Sequence, residues 1–348
     1  MIDRTTIITT VARFVTSAQE KQQNAHSRAS SLRLSAVLSK VKPGDCISEK
    51  IRVLAAPLTV QKKNVQSYCV VGVDGSQVYP DRSFASGVCG IINIGGLVLT
   101  YGEHSSTAEF FSASTLVSKA DMQTGLVFCP EVIDTLRTLR ELEAGLQKMR
   151  ELTHSKKVLL LDGSMIPYGL MLKNTAVQQF FATRFLSLLQ ECYDEQVIVA
   201  WYISAPQSQL LARAIGEDEQ TDAQLLDGFL QDGQTTPFFT LNQSTLFGVS
   251  CGSQHATSFF YVQNGTEIIR IECPAWMLDL QTSQEFLCSV VADQVEKGFG
   301  YPVALTEAHR QALITEKDRD FVLLELERQG FVLPGGALKA TRKQIIPA

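Results

Sequence analysis

Two short apolar runs end in the same tripeptide, and nothing else restricts the fold of this chain as much: VVGVDGS at 70–76 and VLLLDGS at 158–164. An unbroken apolar run closed by Asp-Gly fits a strand buried on both faces, as found inside a parallel sheet. The glycine allows a tight turn off the strand, and the serine can cap the next turn or helix. Asp74 and Asp162 would then stand at the carboxyl edge of the sheet, where open α/β sheets bind ligands. Two acids delivered into one crevice call for a divalent cation. A single Asp-Gly would mark no more than a strand end; the pair, each behind an apolar run, points to a site.

The stretches between and around these strands set the architecture. Ile7 to about Leu38 reads as one or two amphipathic helices, stopped by Pro43-Gly44. IRVLAAPLTV (51–60) is β-like and leads through Lys62 and Lys63 into the first Asp-Gly-Ser strand. SGVCGIINIGG and LVLTYGE are two further strand candidates, with glycines where hairpin turns would fall. Pro130 to about Thr153 is the clearest helix: Pro130 suits its first turn, and Ile133, Leu136, Leu139, Leu142, Leu146 and Met149 recur at helical spacing. The second Asp-Gly-Ser strand comes next, then a helix from about Thr175 to Cys192, the strand VIVAWYIS (197–204), and a helix carrying Leu210, Leu211 and Ile215.

Three strands, helix, strand, helix, strand is the order of a ribonuclease H-like α/β core, and right-handed crossovers would put the two Asp-Gly-Ser strands side by side. The expected fold is therefore a mixed sheet flanked by helices, with an N-terminal helical extension and C-terminal helices. Residues 1–66 form a basic extension suited to DNA or dimer contacts, 67–320 the core, and 321–348 a last helix and tail. Polar, acidic 217–236 reads as an insertion or lid. A late hairpin turns at Asn264-Gly265, Gln281 to Lys297 is helical, and helices start after Thr306 and Thr315, the latter with a Thr-x-x-Asp cap at Asp318.

Composition excludes several classes. No apolar stretch reaches the roughly 18 residues of a membrane span, and MIDRTTIITTVARFV lacks the apolar core of a signal peptide, so a cytoplasmic location is expected. Eight scattered cysteines without a C-x-x-C pair read as reduced core residues. The net charge of −5 argues against simple electrostatic nucleic-acid binding, yet residues 1–70 carry 11 Lys or Arg against 4 Asp or Glu. That basic end would meet a phosphate backbone or pack on the acidic body.

A cation site needs oxygen ligands from several elements, because magnesium and manganese are hard ions. The helix between the two strands offers Glu141 and Glu143. At about 100° per residue, Glu143 falls four after Leu139 and three before Leu146, within the apolar face, and Glu141 points away. Glu143 is thus the expected ligand, since a core-facing carboxylate requires a partner or a metal; the alternative is an ion-pair ladder with Arg140 or Arg150. In GYPVALTEAHRQALI, Thr306 reads as an N-cap, which places His309 in a first helical turn where the macrodipole favours a neutral ligand or base. His26, His104, His154 and His255 lack carboxylate neighbours arranged for chemistry.

With these residues in place the sequence resembles the NurA nucleases, DNA-end-processing partners of HerA-type hexameric ATPases. The resemblance runs from about 69 to 320 and rests on VDGSQ (73–77), the helix glutamate, LLLDGSM (159–165), DGFLQDGQTTPFF (227–239), IIRIECP (268–274), GYPVALTEAH (300–309) and ITEKDR (314–319). Tyr301 and His309 keep the family's spacing of a tyrosine and a histidine eight residues later. The resemblance implies metal ligation by Asp74, Glu143 and Asp162, with the alignment able to slide to Glu141. It implies His309 as a fourth ligand or a base and Tyr301 near the scissile phosphate. It further implies a manganese- or magnesium-dependent, homodimeric deoxyribonuclease that cuts single- and double-stranded DNA as a 5′-3′ exonuclease or an endonuclease, in repair or in defence against invading DNA. The rival expectation is a catalytically inactive clamp for the same ATPase. After YIS, where relatives carry a basic residue, this chain has Ala205. Arg270 and Glu272 are expected to form a structural ion pair in preference to lining the DNA path.

Overall fold

The computed structural model of the chain describes residues 25–60, 67–79, 89–102, 105–121, 126–278 and 281–330; the expected helix before Ala25, Lys62, Lys63, His104 and the tail beyond Gly330 lie outside the described residues. The elements are α1 (Ala25–Leu38), β1 (Cys46–Ser48), β2 (Ile51–Ala55), β3 (Tyr68–Val78), β4 (Cys89–Tyr101), β5 (Ser106–Ser118), α2 (Pro130–Glu151), β6 (Lys157–Asp162), α3 (Thr175–Asp194) and β7 (Ile198–Ile203). There follow α4 (Leu210–Ala214), α5 (Asp222–Leu226), β8 (Phe238–Leu241), the small hairpin β9 (Thr245–Leu246) and β10 (Val249–Ser250), β11 (Thr257–Asn264), β12 (Glu267–Pro274), α6 (Gln281–Lys297), α7 (Val303–Ala312) and α8 (Glu316–Arg328).

Ten strands form one sheet in the order β1-β2-β8-β11-β12-β7-β6-β3-β4-β5. The two Asp-Gly-Ser strands, β3 and β6, are parallel neighbours, and β7 extends the parallel centre. All other pairings in the sheet are antiparallel. The sequence of element types through β3 to β7 is the expected one, set inside a larger mixed sheet flanked by helices, but its members differ: the two stretches read as separate strands are the single β4, and the third strand is β5, where none was expected. Both faces are covered at the centre: Val70, Val71, Val73, Val158, Leu159 and Leu160 are fully buried or nearly so. Each such side chain contributes about 1.5–3 kcal/mol of burial.

Glycines set how closely the helices approach. A Cβ on Gly72 would lie 2.4 Å from the Ala304 carbonyl oxygen, and one on Gly95 2.2 Å from the Ala312 nitrogen, so α7 lies directly on the backbone of β3 and β4. A Cβ on Gly145 would meet Leu159 at 2.5 Å, and one on Gly75 would meet Arg137 and Glu141 of α2. Gly72 and Gly75 are an odd number of residues apart, so α7 and α2 cover opposite faces of β3.

Three sequence expectations change. Gly95 and Gly96 do not turn a hairpin; β4 runs straight through them, because their missing side chains make room for α7 and for the Phe111 ring. The N-terminal region is only in part an extension, since β2 pairs with β8 and belongs to the sheet. Residues 217–236 are not a peripheral lid: Asp222, Leu225 and Leu226 are fully buried, in a second core shared with Leu34, Leu211, Phe239 and Phe259. The late hairpin, α6 and the Thr315–Asp318 capping box stand as expected.

Candidate active site

The register of the parallel pair builds the site. Val73 faces Leu161, so Asp74 and Asp162 come next in line on adjacent strands, about 4.8 Å apart at the backbone. Asp74 lies two residues from Gly72 and so projects to the face covered by α7. From that face His309 Nδ1 meets Asp74 Oδ2 at 2.7 Å, and the Tyr301 hydroxyl donates to Asp162 Oδ1 at 2.6 Å. The Gly75 amide donates to the other oxygen of Asp74 at 2.7 Å. Burial, opposed by the Tyr301 hydrogen bond and reinforced by Asp74, holds the Asp162 carboxyl above its usual range. Burial also raises the Tyr301 hydroxyl, with Asp162 adding to it.

Of the two candidate glutamates on α2, Glu141 is the one that comes near Asp74 and Asp162. Its side chain is 8% exposed, and burial pushes its carboxyl up to about 7, with Asp74 and Asp162 raising it further and Arg137 pulling it back. Arg137 donates to Glu141 Oε1 at 2.9 Å and to the Gly75 carbonyl at 3.0 Å. Glu143 lies outside this cluster and pairs with Arg184 of α3 at 2.8 Å. The two glutamates stand roughly 160° apart around α2, one on each flank of the apolar stripe. Helical spacing could not say which flank faces β3 and which faces α3. Gly75, which leaves space for the Glu141 carboxylate, was the signal available in the sequence.

His309 also sits differently from expectation. Helix α7 begins at Val303, three residues before the anticipated cap, so His309 lies in its last turn and the macrodipole argument for a neutral imidazole falls away. Its side chain is 63% exposed.

The donor set is oxygen-rich and hard, and two of its acids carry raised proton affinity because they sit together and out of water. A divalent cation would relieve that repulsion. Among the described residues no three or more His, Cys, Asp or Glu side chains come together, as they stand, in a group that could hold a metal ion; Arg137 holds Glu141 and Tyr301 holds Asp162. The residues fit a cation in kind; in their present arrangement Glu141 is turned to a guanidinium and the acids do not converge on a common point.

The NurA domain family matches residues 69–314 of the chain, a span that takes in Asp74, Glu141, Asp162, Tyr301 and His309. The chain belongs to the NurA family. It is similar to a crystal structure of NurA at 11% identity, covering 92% of this chain and 96% of that one with a TM-score of 0.46. A NurA structure bound to dAMP and manganese gives 11% identity, 94% and 98% coverage and a TM-score of 0.41; one with manganese gives 12%, 93%, 98% and 0.42. No curated protein matches the chain significantly.

In this NurA chain the turn after β6 is held from a distance. Glu272 Oε2 accepts from the Ser164 hydroxyl and the Met165 amide, both at 2.8 Å, while Glu272 Oε1 is paired with Arg270 at 2.7 Å. Arg270 in turn donates to the Tyr261 hydroxyl at 2.8 Å and Ser208 at 3.1 Å and stacks on Phe259 at 3.9 Å. Tyr261 and Ser208 both donate to buried Asp222. The expected ion pair of Arg270 and Glu272 is thus a buried structural one, and it holds the turn that follows Asp162. Ala205 adopts a left-handed backbone with φ of 43° and donates its amide to Glu267.

Proposed function

We propose that this NurA chain is a metal-dependent deoxyribonuclease with a ribonuclease H-like catalytic centre, hydrolysing phosphodiester bonds at DNA ends as a cytoplasmic homodimer with a HerA-type hexameric ATPase. The observation that carries the reading is the register that sets Asp74 and Asp162 side by side, with Glu141 brought to the same edge from α2. Asp74, Glu141 and Asp162 would hold the cation, manganese as in two of the solved NurA structures or else magnesium. When bound, such a cation lowers the pKa of an attacking water and stabilises charge on phosphate oxygens.

The remaining roles rest on the side chains. Tyr301 fixes the Asp162 carboxylate through its hydroxyl. His309, tied to Asp74 through Nδ1, presents Nε2 for proton transfer with water or the leaving oxygen. Arg137 neutralises Glu141 when no cation is there, and is a cation at the site able to meet a phosphate. No helix among the described residues is long and apolar enough to cross a membrane.

A second reading, an inactive DNA clamp for the ATPase, draws on Arg137 occupying Glu141, which leaves the acids among the described residues without the arrangement of a metal site. Cleavage of labelled single and double strands with manganese decides between them. Asp74→Asn and Asp162→Asn are expected to lose at least a hundredfold in rate while remaining folded, and near wild-type cleavage by either would remove the nuclease reading.

A further inference from the structure

Arg137 stands on α2 between two carboxylates. Asp134 is three residues before it and Glu141 four after, the spacings at which helical side chains are neighbours. It is seated on the second: Nη1 donates to Glu141 Oε1 at 2.9 Å and to the Gly75 carbonyl at 3.0 Å. The seat is close-fitting, since a Cβ on Gly75 would lie 2.6 Å from Glu141 Oε1 and 2.8 Å from Arg137 Cγ. It is also imperfect. Nη1 carries both of these bonds, while Nε is buried without a hydrogen-bond partner among the described residues, and a buried donor left unpaired weighs against the position.

The other carboxylate is open to a further donor. Asp134 and Arg137 line one cavity of about 300 Å³ together with Gln77, Tyr79, Thr138 and Lys173. Asp134 Oδ1 accepts from the Tyr79 hydroxyl at 2.6 Å and from Gln77 at 3.2 Å, whereas Oδ2 receives a long bond from Lys173 at 3.4 Å. The Asp134 side chain is 34% exposed, so a guanidinium can approach Oδ2 without displacing packed protein. Helical side chains lean toward the N-terminus, and an acid N-terminal to its base is the better arrangement, so the intrinsic preference of Arg137 is for Asp134. What draws it to Glu141 is a carboxylate that is 8% exposed and close to two further acids.

We propose that Arg137 is a gate on the cation site: seated on Glu141 it stands in for the ion, and it yields the carboxylate to a divalent cation by moving to Asp134. The inference rests on the reading of Asp74, Glu141 and Asp162 as ion ligands, and it accounts for an arrangement in which those acids do not converge. The Glu141 charge is compensated in both states, and Arg137 keeps a carboxylate partner in both. Ion affinity is then reduced by the fraction of molecules in which Arg137 has already left Glu141.

The test measures manganese binding to the full chain without DNA, from the electron paramagnetic resonance signal of the free ion. Arg137→Met, which keeps the stem and removes the charge, should bind manganese about tenfold more tightly than wild type, the gain expected if Arg137 holds Glu141 in about nine molecules of ten. Arg137→Gln, which keeps a donor for the Gly75 carbonyl, should shift affinity in the same direction and serves if Arg137→Met does not fold. Asp134→Asn removes the second seat; it should weaken binding about threefold in the wild-type background and leave it unchanged in the Arg137→Met background, whereas a mere change in the field of the site would act equally in both. Asp74→Asn added to Arg137→Met should cancel the gain. Binding in Arg137→Met no tighter than in wild type, or a gain that survives Asp74→Asn, overturns the gate, and equal effects of Asp134→Asn in both backgrounds overturn Asp134 as the second seat. Manganese binding by neither wild type nor any Arg137 variant removes the cation site itself and the gate with it, a result distinct from the others.

Discussion

The carboxylate of Glu272 on β12 accepts the hydroxyl of Ser164, 108 residues earlier in the chain, at 2.8 Å, and so ties the turn after Asp162 to the far half of the sheet. The same side chain closes a salt bridge with Arg270 in which both partners are 2–3% exposed. Truncating one member of a buried pair leaves the other charge unmet, at about 3–5 kcal/mol. Glu272→Ala should lower the unfolding free energy by that amount in urea titration. Glu272→Gln, which keeps an acceptor oxygen for Ser164, should lose less. Equal loss in both variants would show that the tie to the turn contributes nothing.

Glu141 and Glu143 provide the sharpest comparison at the site. Glu141 is close enough to Asp74 and Asp162 for both to raise its pKa, and Glu143 pairs with Arg184 on a partly exposed flank. Glu141→Gln should cut manganese-dependent cleavage by at least a hundredfold, while Glu143→Gln should stay within about twofold and cost no more than about 1 kcal/mol of stability, as for an exposed ion pair. Steady-state rates on one labelled strand check both, and a dead Glu143→Gln with an active Glu141→Gln would reverse the assignment.

Much of this geometry is legible in the sequence, for definite reasons. Asp74 and Asp162 come after apolar runs too short and too uniform to be anything but central strands, and a right-handed crossover leaves them adjacent. Tyr301 and His309 are placed by family spacing, not by periodicity; Thr306 looks like a cap while Pro302 performs that role, which starts the helix carrying His309 a turn earlier. The choice between Glu141 and Glu143 depends on what packs on each flank of α2, which one helix cannot reveal. Gly95-Gly96 carries the pattern of a turn, and only the position of α7 shows that the pair is kept small to admit a helix backbone. Ser164 meets Glu272 through the pairing of β7 with β12, a contact no local pattern encodes.

His255 makes stability depend on pH. Its ring is 8% exposed, packed edge-on against Tyr193 and Trp276, and burial pulls its pKa below the ordinary 6.5, opposed by Asp194. The unfolded chain therefore binds the proton more readily than the folded one. Stability from this residue is full above about pH 6.5 and falls as the pH drops through that value towards the folded pKa, with a slope of at most about 1.4 kcal/mol per pH unit. His255→Phe keeps the aromatic contacts and removes the titration. Urea unfolding of both proteins between pH 7 and 5 should give a shallower decline for the variant, and parallel curves would show that His255 titrates alike in both states.

The edge of the sheet bears on the proposed homodimer. β5 is a 13-residue outer strand, exposed along most of its length, with Phe110 52% and Leu116 45% exposed and Glu109 its one charged side chain. Long outer strands with open hydrogen-bonding groups and few charges invite pairing with another chain unless something covers them. Phe110 and Leu116 are an even number of residues apart, so they share a face, and a second copy seated there would bury both. Phe110→Lys places a charge at the centre of that contact. Sedimentation velocity should give a dimer for wild type and a shift to monomer for Phe110→Lys, with the melting temperature of the monomeric fold little changed because the side chain packs on nothing essential within its own subunit. A Phe110→Lys protein that stays dimeric would move the contact elsewhere on the molecule, and a wild-type monomer would remove the homodimer from the proposal.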